Sequence, residues 1–404
     1  MGACFALVMM AWSCGCKSGK NPGKAVSNAT QFVYATARNG QIGTTQTIVT
    51  AFHVETDGSL TSEGTAFTLG PGVTTWETLA LQTADRSGHH VFGIESVTLL
   101  QAPFPTTYSL VTFAVQPSTG ALTQTSSLNL PYGPTTVTLS PDGTFLFVGL
   151  FAGPPFGTSI ATYSVDADGN LKLLTTVTTG FQFAVYATVV NPTGTFLYAI
   201  GGGPTGLGMG VQFAIDPTGA LSQVGTFDAV GTPFGGGSPG ENSAGLLMTP
   251  SGAALYSQDQ GLKEFEVDPD TGSLAEGITA TCSCFNITMN AQGTLLFAGA
   301  SGTTNQPVGI RVFSIDPITG GLMELSQSFI AVTSFDASVQ FVPWMVSDSN
   351  GKFLYTTAFG LSNILEFSIG DDGSVTGMGQ SAPVTGAPFS QLGSGNLTLA
   401  SYQQ

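Results

Sequence analysis

The chain has 404 residues, of which 42% are apolar and only 8% charged, with 54 Gly and 28 Phe. That palette, completed by Thr, Ser, Gln and Asn, belongs to strands and turns and leaves almost no room for helix. From Arg38 onward six basic residues face all 25 acids, a balance that repels phosphate backbones and anionic headgroups and so excludes nucleic-acid binding.

The chain opens on ACFALVMMAWS, Ala3 to Ser13, an apolar run too short to span a bilayer and of the length of a signal-peptide core. CGCKSGKNPGK follows. Small residues directly before a cysteine, then a polar linker, resemble a bacterial lipoprotein signal, with Cys16 fitting the small-residue pattern better than Cys14; an ordinary cleaved signal is the alternative. No Lys or Arg precedes the apolar run and no Leu stands three before either cysteine. Residues 1–16 are read as the signal, 17–29 as a flexible linker, and 30–404 as one folded unit. A diacyl group on one cysteine would be the only membrane attachment, since no further apolar run of spanning length occurs.

From Phe52 on, one phrase recurs seven times: FHVETDGSL, FAVQPSTGAL from Phe113, YSVDADGNL from Tyr163, FAIDPTGAL from Phe213, FEVDPDTGSL from Phe265, FSIDPITGGL from Phe313 and FSIGDDGSV from Phe367. Each is a run of β-formers, a break at Asp-Pro, Asp-Gly or Pro-x-Thr-Gly, and a resumption at Leu or Val. That is a hairpin whose Gly takes positive φ. A second phrase supplies another hairpin: LSPDGTFLFVG from Leu139, VNPTGTFLYAI from Val190, MTPSGAALYSQ from Met248, MNAQGTLLFAG from Met289 and VSDSNGKFLYTT from Val346, with LQTADRSGHHVFGI from Leu81 as a degenerate copy.

Each period is therefore four antiparallel strands, a to d, with tight a–b and c–d turns and longer b–c and d–a connections. Such units bury their faces only when stacked radially, and seven of them predict an all-β, seven-bladed β-propeller. The first copy starts at a b strand, Gln31 to Arg38, with no a strand before it. The last hairpin is followed by GAPFSQLGSGNLTLA, Gly386 to Ala400, an a strand with no b strand after it. The C-terminal strand should complete the N-terminal blade.

In ATCSCFN, Cys282 and Cys284 stand two apart, where a disulfide needs a strained ring, so two small buried thiols are expected. His53, His89 and His90 offer no ligand spacing, and no metal or other cofactor is expected.

Together the S-P-D-G-x-F-L-Y turn and the F-x-I-D-P-x-T-G-x-L hairpin resemble the lactonase-type seven-bladed propellers, the group of a bacterial 6-phosphogluconolactonase and the fungal carboxymuconate-cyclising enzyme. The resemblance covers about residues 30 to 400; surface-antigen and YVTN-type propellers share the same phrases. It implies a lactone hydrolase with His, Arg and Glu lining the channel. Here the matching approaches, YGPTTVTLS, FAVYATVV, ENSAGLLMT and DASVQFVPWMVS, hold neither His nor Arg.

Any ligand site should gather on the rim of the longer, variable connections. Charged candidates there are Arg38, Glu95, Glu241, Asp259 and Asp336. Glu241 and Arg38 would be the acid/base and the cation of a lactone-opening site, and Glu95, Asp259, Asp336, Gln340, Trp344 and Tyr186 would be ligand contacts. Trp344 and Tyr186 serve equally well as blade packing. GGSPG around Ser238 lacks the strand and helix of a nucleophile elbow. DADGN at Asp166 is a copy of the c–d corner rather than a calcium loop, and GLGMG at Gly206 enters a strand, not a helix.

Two functions follow. One is an exported, envelope-associated binding or scaffold module, monomeric, whose partner is an envelope protein or a sugar-like small molecule. The alternative is hydrolysis of a sugar lactone or related sugar acid. Phosphorylated substrates are disfavoured, because phosphate wants Arg or Lys.

Overall fold

The computed structural model describes residues 30–39, 46–70, 75–151, 157–202, 208–229, 245–258, 261–280, 284–300, 308–325, 329–332, 342, 344–358, 361–385 and 397–402. These form seven antiparallel sheets and, among the described residues, no α-helix. Blade 1 contains β1 (Thr30–Asn39), β2 (Gln46–Val54) and β3 (Leu60–Leu69), and blade 2 contains β4 (Thr75–Ala84), β5 (His90–Leu99), β6 (Thr106–Val115) and β7 (Leu122–Leu130). Blade 3 is β8 (Gly133–Leu139), β9 (Phe145–Phe151), β10 (Thr158–Val165) and β11 (Leu171–Thr178). Blade 4 is β12 (Val185–Val190), β13 (Phe196–Gly202), β14 (Gly208–Ile215) and β15 (Leu221–Asp228).

Blade 5 is β16 (Gly245–Met248), β17 (Ala254–Gln258), β18 (Leu262–Val267) and β19 (Leu274–Ala280). Blade 6 is β20 (Cys284–Met289), β21 (Leu295–Ala300), β22 (Gly309–Ile315) and β23 (Leu322–Glu324), with β24 (Ile330–Ala331) also on β22. Blade 7 is β25 (Met345–Ser347), β26 (Phe353–Thr356), β27 (Leu365–Ile369) and β28 (Val375–Gln380). The last strand, β29 (Leu397–Tyr402), pairs with β1 from Thr30↔Tyr402 to Ala35↔Leu397 and completes blade 1. The inner strands β29, β4, β8, β12, β16, β20 and β25 neighbour one another in that order and back to β29. The ring is thus closed as the repeat predicted.

Burial follows the layers. The second and third strands are almost continuously buried, as in Leu197 to Gly202 of β13, because neighbouring blades cover both their faces; the outer β15 alternates toward solvent. All seven c–d corners place their Gly at positive φ, from Gly58 (φ 85°) to Gly373 (φ 80°).

These corners are also where one blade engages the next. The buried Tyr34, Tyr198, Tyr256 and Tyr355, at matching points of the b strands, donate their hydroxyls to the carbonyls of Gly120, Gly272, Gly320 and Gly58, each in the following blade's corner. Gly58 has room for no side chain, since a Cβ there would lie 2.1 Å from the Phe353 ring of blade 7. Side chains two strands out add to some joints: in blade 4 Gln212 Nε2 donates to Thr271 O (3.0 Å), and in blades 5 and 7 Glu264 and Glu366 accept N–H groups of Leu322 and Leu60 (3.2 Å each).

One expectation is corrected. Cys284 is disulfide-bonded rather than a free buried thiol, and Cys282 lies outside the described residues.

Candidate functional site

Blades 1 and 2 have the longest strands, with ten residues each in β1, β3, β4, β5 and β6, against four in β16 and three in β25. Thr398 of β29 donates to Leu81 O (3.1 Å), which ties the inner strand of blade 1 to the inner strand of blade 2.

Register pairs Leu79 with Glu95 and Glu77 with Val97. Both glutamates therefore share the face of Leu79 and Leu81, which pack with Tyr34 and Val49 in the core between blades 1 and 2. They continue that face beyond the core to the rim. From blade 1, Thr47 Oγ1 donates to Glu77 O at 3.2 Å, and Thr75 Oγ1 donates to Glu77 Oε1 at 2.9 Å. Ser109, register partner of Glu95, donates to Asn129 Oδ1 at 3.2 Å. Thr36 of blade 1 is fully buried and its hydroxyl has no partner among the described residues. Arg38 stands in β1 across from the same Thr47 that reaches Glu77. The strand positions of the sequence candidates Arg38 and Glu95 thus fall on the facing blades 1 and 2.

Burial, and after it the nearby Glu77 carboxylate, pushes the Glu95 carboxyl above the ordinary glutamate value. Two other glutamates are raised, Glu264 and Glu366, again chiefly by burial. Each of those accepts a backbone N–H from the next blade, which gives it a structural task. Glu95 accepts no hydrogen bond among the described residues, although it sits in the same kind of joint. Among the described residues, a half-buried carboxyl raised in pKa and without a hydrogen-bond partner sets Glu95 apart from Glu264 and Glu366.

The remaining candidates fall elsewhere. Trp344 is half-buried against the core between blades 7 and 1, and its carbonyl accepts Thr356 Oγ1 (2.7 Å). Tyr186 is the extra residue of the bulge between Val185 and Ala187 and packs on the core of blades 4 and 5. Glu241, Asp259, Asp336, Gln340, Cys14 and Cys16 lie outside the described residues. Among the described residues no three His, Cys, Asp or Glu side chains converge, and no helix is long and apolar enough to cross a membrane. Sequence reading missed Glu77, Thr36, Ser109 and Asn129. For Glu77 the signal was present: TWETLALQ alternates so that Glu77 shares a face with the core residue Leu79.

No known family description matches the chain, and no curated protein resembles it in sequence. Solved structures do share its fold. A Pseudomonas aeruginosa periplasmic gluconolactonase is 18% identical with a TM-score of 0.66, over 93% of this chain and 100% of that one. A Bacteroides fragilis protein assigned as a candidate 6-phosphogluconolactonase is 14% identical with a TM-score of 0.65, over 94% and 100%. A functionally unknown Desulfotomaculum acetoxidans protein is 14% identical with a TM-score of 0.60, over 92% and 99%. At such identities the likeness is one of fold: the chain is a seven-bladed β-propeller.

Proposed function

We propose that the rim of blades 1 and 2 binds a non-phosphorylated sugar lactone and opens it, with Glu95 as the general base and Arg38 as the cation for the carbonyl oxygen. The observation that carries this reading is the half-buried Glu95 carboxyl, raised in pKa and free of a structural hydrogen bond among the described residues. In the reaction Glu95 takes a proton from water, the hydroxide adds to the lactone carbonyl, the ring C–O bond breaks, and the proton passes to the departing ring oxygen. The structural neighbours support the substrate class by analogy of fold alone.

The propeller without its N-terminal segment is tested by proton release from γ- and δ-sugar lactones, phosphorylated and not, against the spontaneous rate. Acceleration on the unphosphorylated lactones, reduced about 100-fold or more by Glu95→Gln, is expected. A flat response leaves the second reading, a non-catalytic module for a polyhydroxylated ligand or an envelope partner. That reading is favoured by the hydroxyl-rich inner strands, where Thr138 and Thr188 join blades 3 and 4 at 2.6 Å.

Export belongs to the same proposal. Both ends of the described propeller, Thr30 and Tyr402, meet at the short-turn rim, so a tether at Cys16 attaches on the side away from the proposed site. Fatty-acid labelling that is lost with Cys16→Ala and kept with Cys14→Ala is the expected result.

A further inference from the structure

Beside the ring-closing β29–β1 pairing, blade 7 meets blade 1, and three of the contacts at that joint converge on the c–d corner of blade 1. The Phe353 ring fills the space under Gly58, Tyr355 Oη donates to Gly58 O (2.9 Å), and Glu366 Oε1 accepts the Leu60 N–H (3.2 Å). In β27 Glu366 lies between Tyr355 of β26 and Gly379 of β28, and it is buried. The charged group facing it from blade 1 is Asp57, of the same sign. Blade 4 fills the equivalent slot with the neutral Gln212, which donates to Thr271 O. Blade 5 repeats the acid version, with Glu264 accepting from Leu322 and Glu266 as the like charge.

A protonated carboxyl still accepts the Leu60 N–H through its carbonyl oxygen and carries no charge. The ionised form keeps the hydrogen bond but places an anion between packed blades and opposite Asp57, where desolvation is costly.

We propose that Glu366 makes the joint of blades 7 and 1 a pH-operated clasp, tight when its carboxyl is protonated and loosened when it ionises. The direction follows from linkage. Burial first, and then Asp57, raise the carboxyl above its unfolded value of 4.5, with only the Leu60 N–H pulling it down. The stabilising contribution of the clasp is therefore complete below that unfolded value and is lost as pH rises through the folded one.

The test is hydrogen exchange on the full propeller, read as protection factors between about pH 5 and about pH 8. In the wild type, protection of the Leu60 amide and of the β1–β29 pairing is expected to fall as pH rises. With Glu366→Gln it should stay level, while the Leu322 amide, still facing Glu264, keeps its fall. Tyr355→Phe retains the carboxyl and should lower protection at every pH without removing the slope. A Leu60 amide that behaves alike in wild type and Glu366→Gln across the range overturns the clasp.

Discussion

At the c–d corners Asp216, Asp268 and Asp316 are exposed and accept hydrogen bonds from their own turns, whereas Glu264 and Glu366 are packed between blades and receive one N–H each. The turn carboxylates are lowered by those bonds: Asp216 by the Thr218 hydroxyl and then the Thr218 and Ala220 N–H groups, Asp268 by the N–H and then the hydroxyl of Thr271. The joint carboxylates are raised, because burial outweighs their single donor. The same functional group therefore favours the folded state in its charged form at a turn and in its neutral form at a joint. Glu95 is also raised chiefly by burial, although it is only half-buried, and among the described residues it accepts no hydrogen bond.

The largest expected effect concerns the joints as a class. Ending the chain at Thr385 removes β29, and with it the inner strand of blade 1 and the bond from Thr398 to blade 2. A cooperative thermal transition should be absent, as judged by calorimetry.

Next comes the one buried turn carboxylate with several donors. Asp348 takes the N–H groups of Lys352 and Phe353 at 2.7 Å each and of Asn350 at 3.0 Å. Asp348→Ala should lower stability by about 3 kcal/mol in denaturant unfolding. A Tyr355→Phe change strands the buried Gly58 carbonyl and should cost about 1 kcal/mol.

Smaller effects separate the two sets by sign. Glu264→Gln should raise Tm at about pH 8 and leave it unchanged at about pH 5, since the penalty it removes exists only for the ionised form. Asp216→Asn should instead lower Tm slightly at about pH 8 and at about pH 5 alike. The lowered folded value gives stability that is present above the unfolded value and lost as pH falls through the folded one, so the loss disappears only in acid below that folded value. Equal pH slopes for the two variants would erase the distinction between turns and joints.

The fold was legible because its information is local. The phrase from Phe313 to Leu322 contains a strand, a turn Asp, a positive-φ Gly and the next strand within ten residues. Ring closure was legible for the same reason, from an unpaired strand at each end. The proposed site was less legible. Arg38 and Glu95 could be read as candidates on the variable rim, but the joint between their blades depends on how one blade leans on the next, and the Thr47 to Glu77 contact links residues in different repeats. Blade 2 also carries the degenerate turn copy, so Glu77 had no repeat partner against which to stand out. The expectation of a free thiol failed at Cys284, which is disulfide-bonded.

The most direct test compares the wild-type propeller with Glu95→Gln and Glu264→Gln in lactone-driven proton release across pH. Hydrolysis that rises with pH through the ionisation of a raised carboxyl, vanishes in Glu95→Gln and persists in Glu264→Gln is predicted. Equal rates in Glu95→Gln and wild type, or a loss shared by both variants, would contradict the assignment of the blade 1–2 rim as the site.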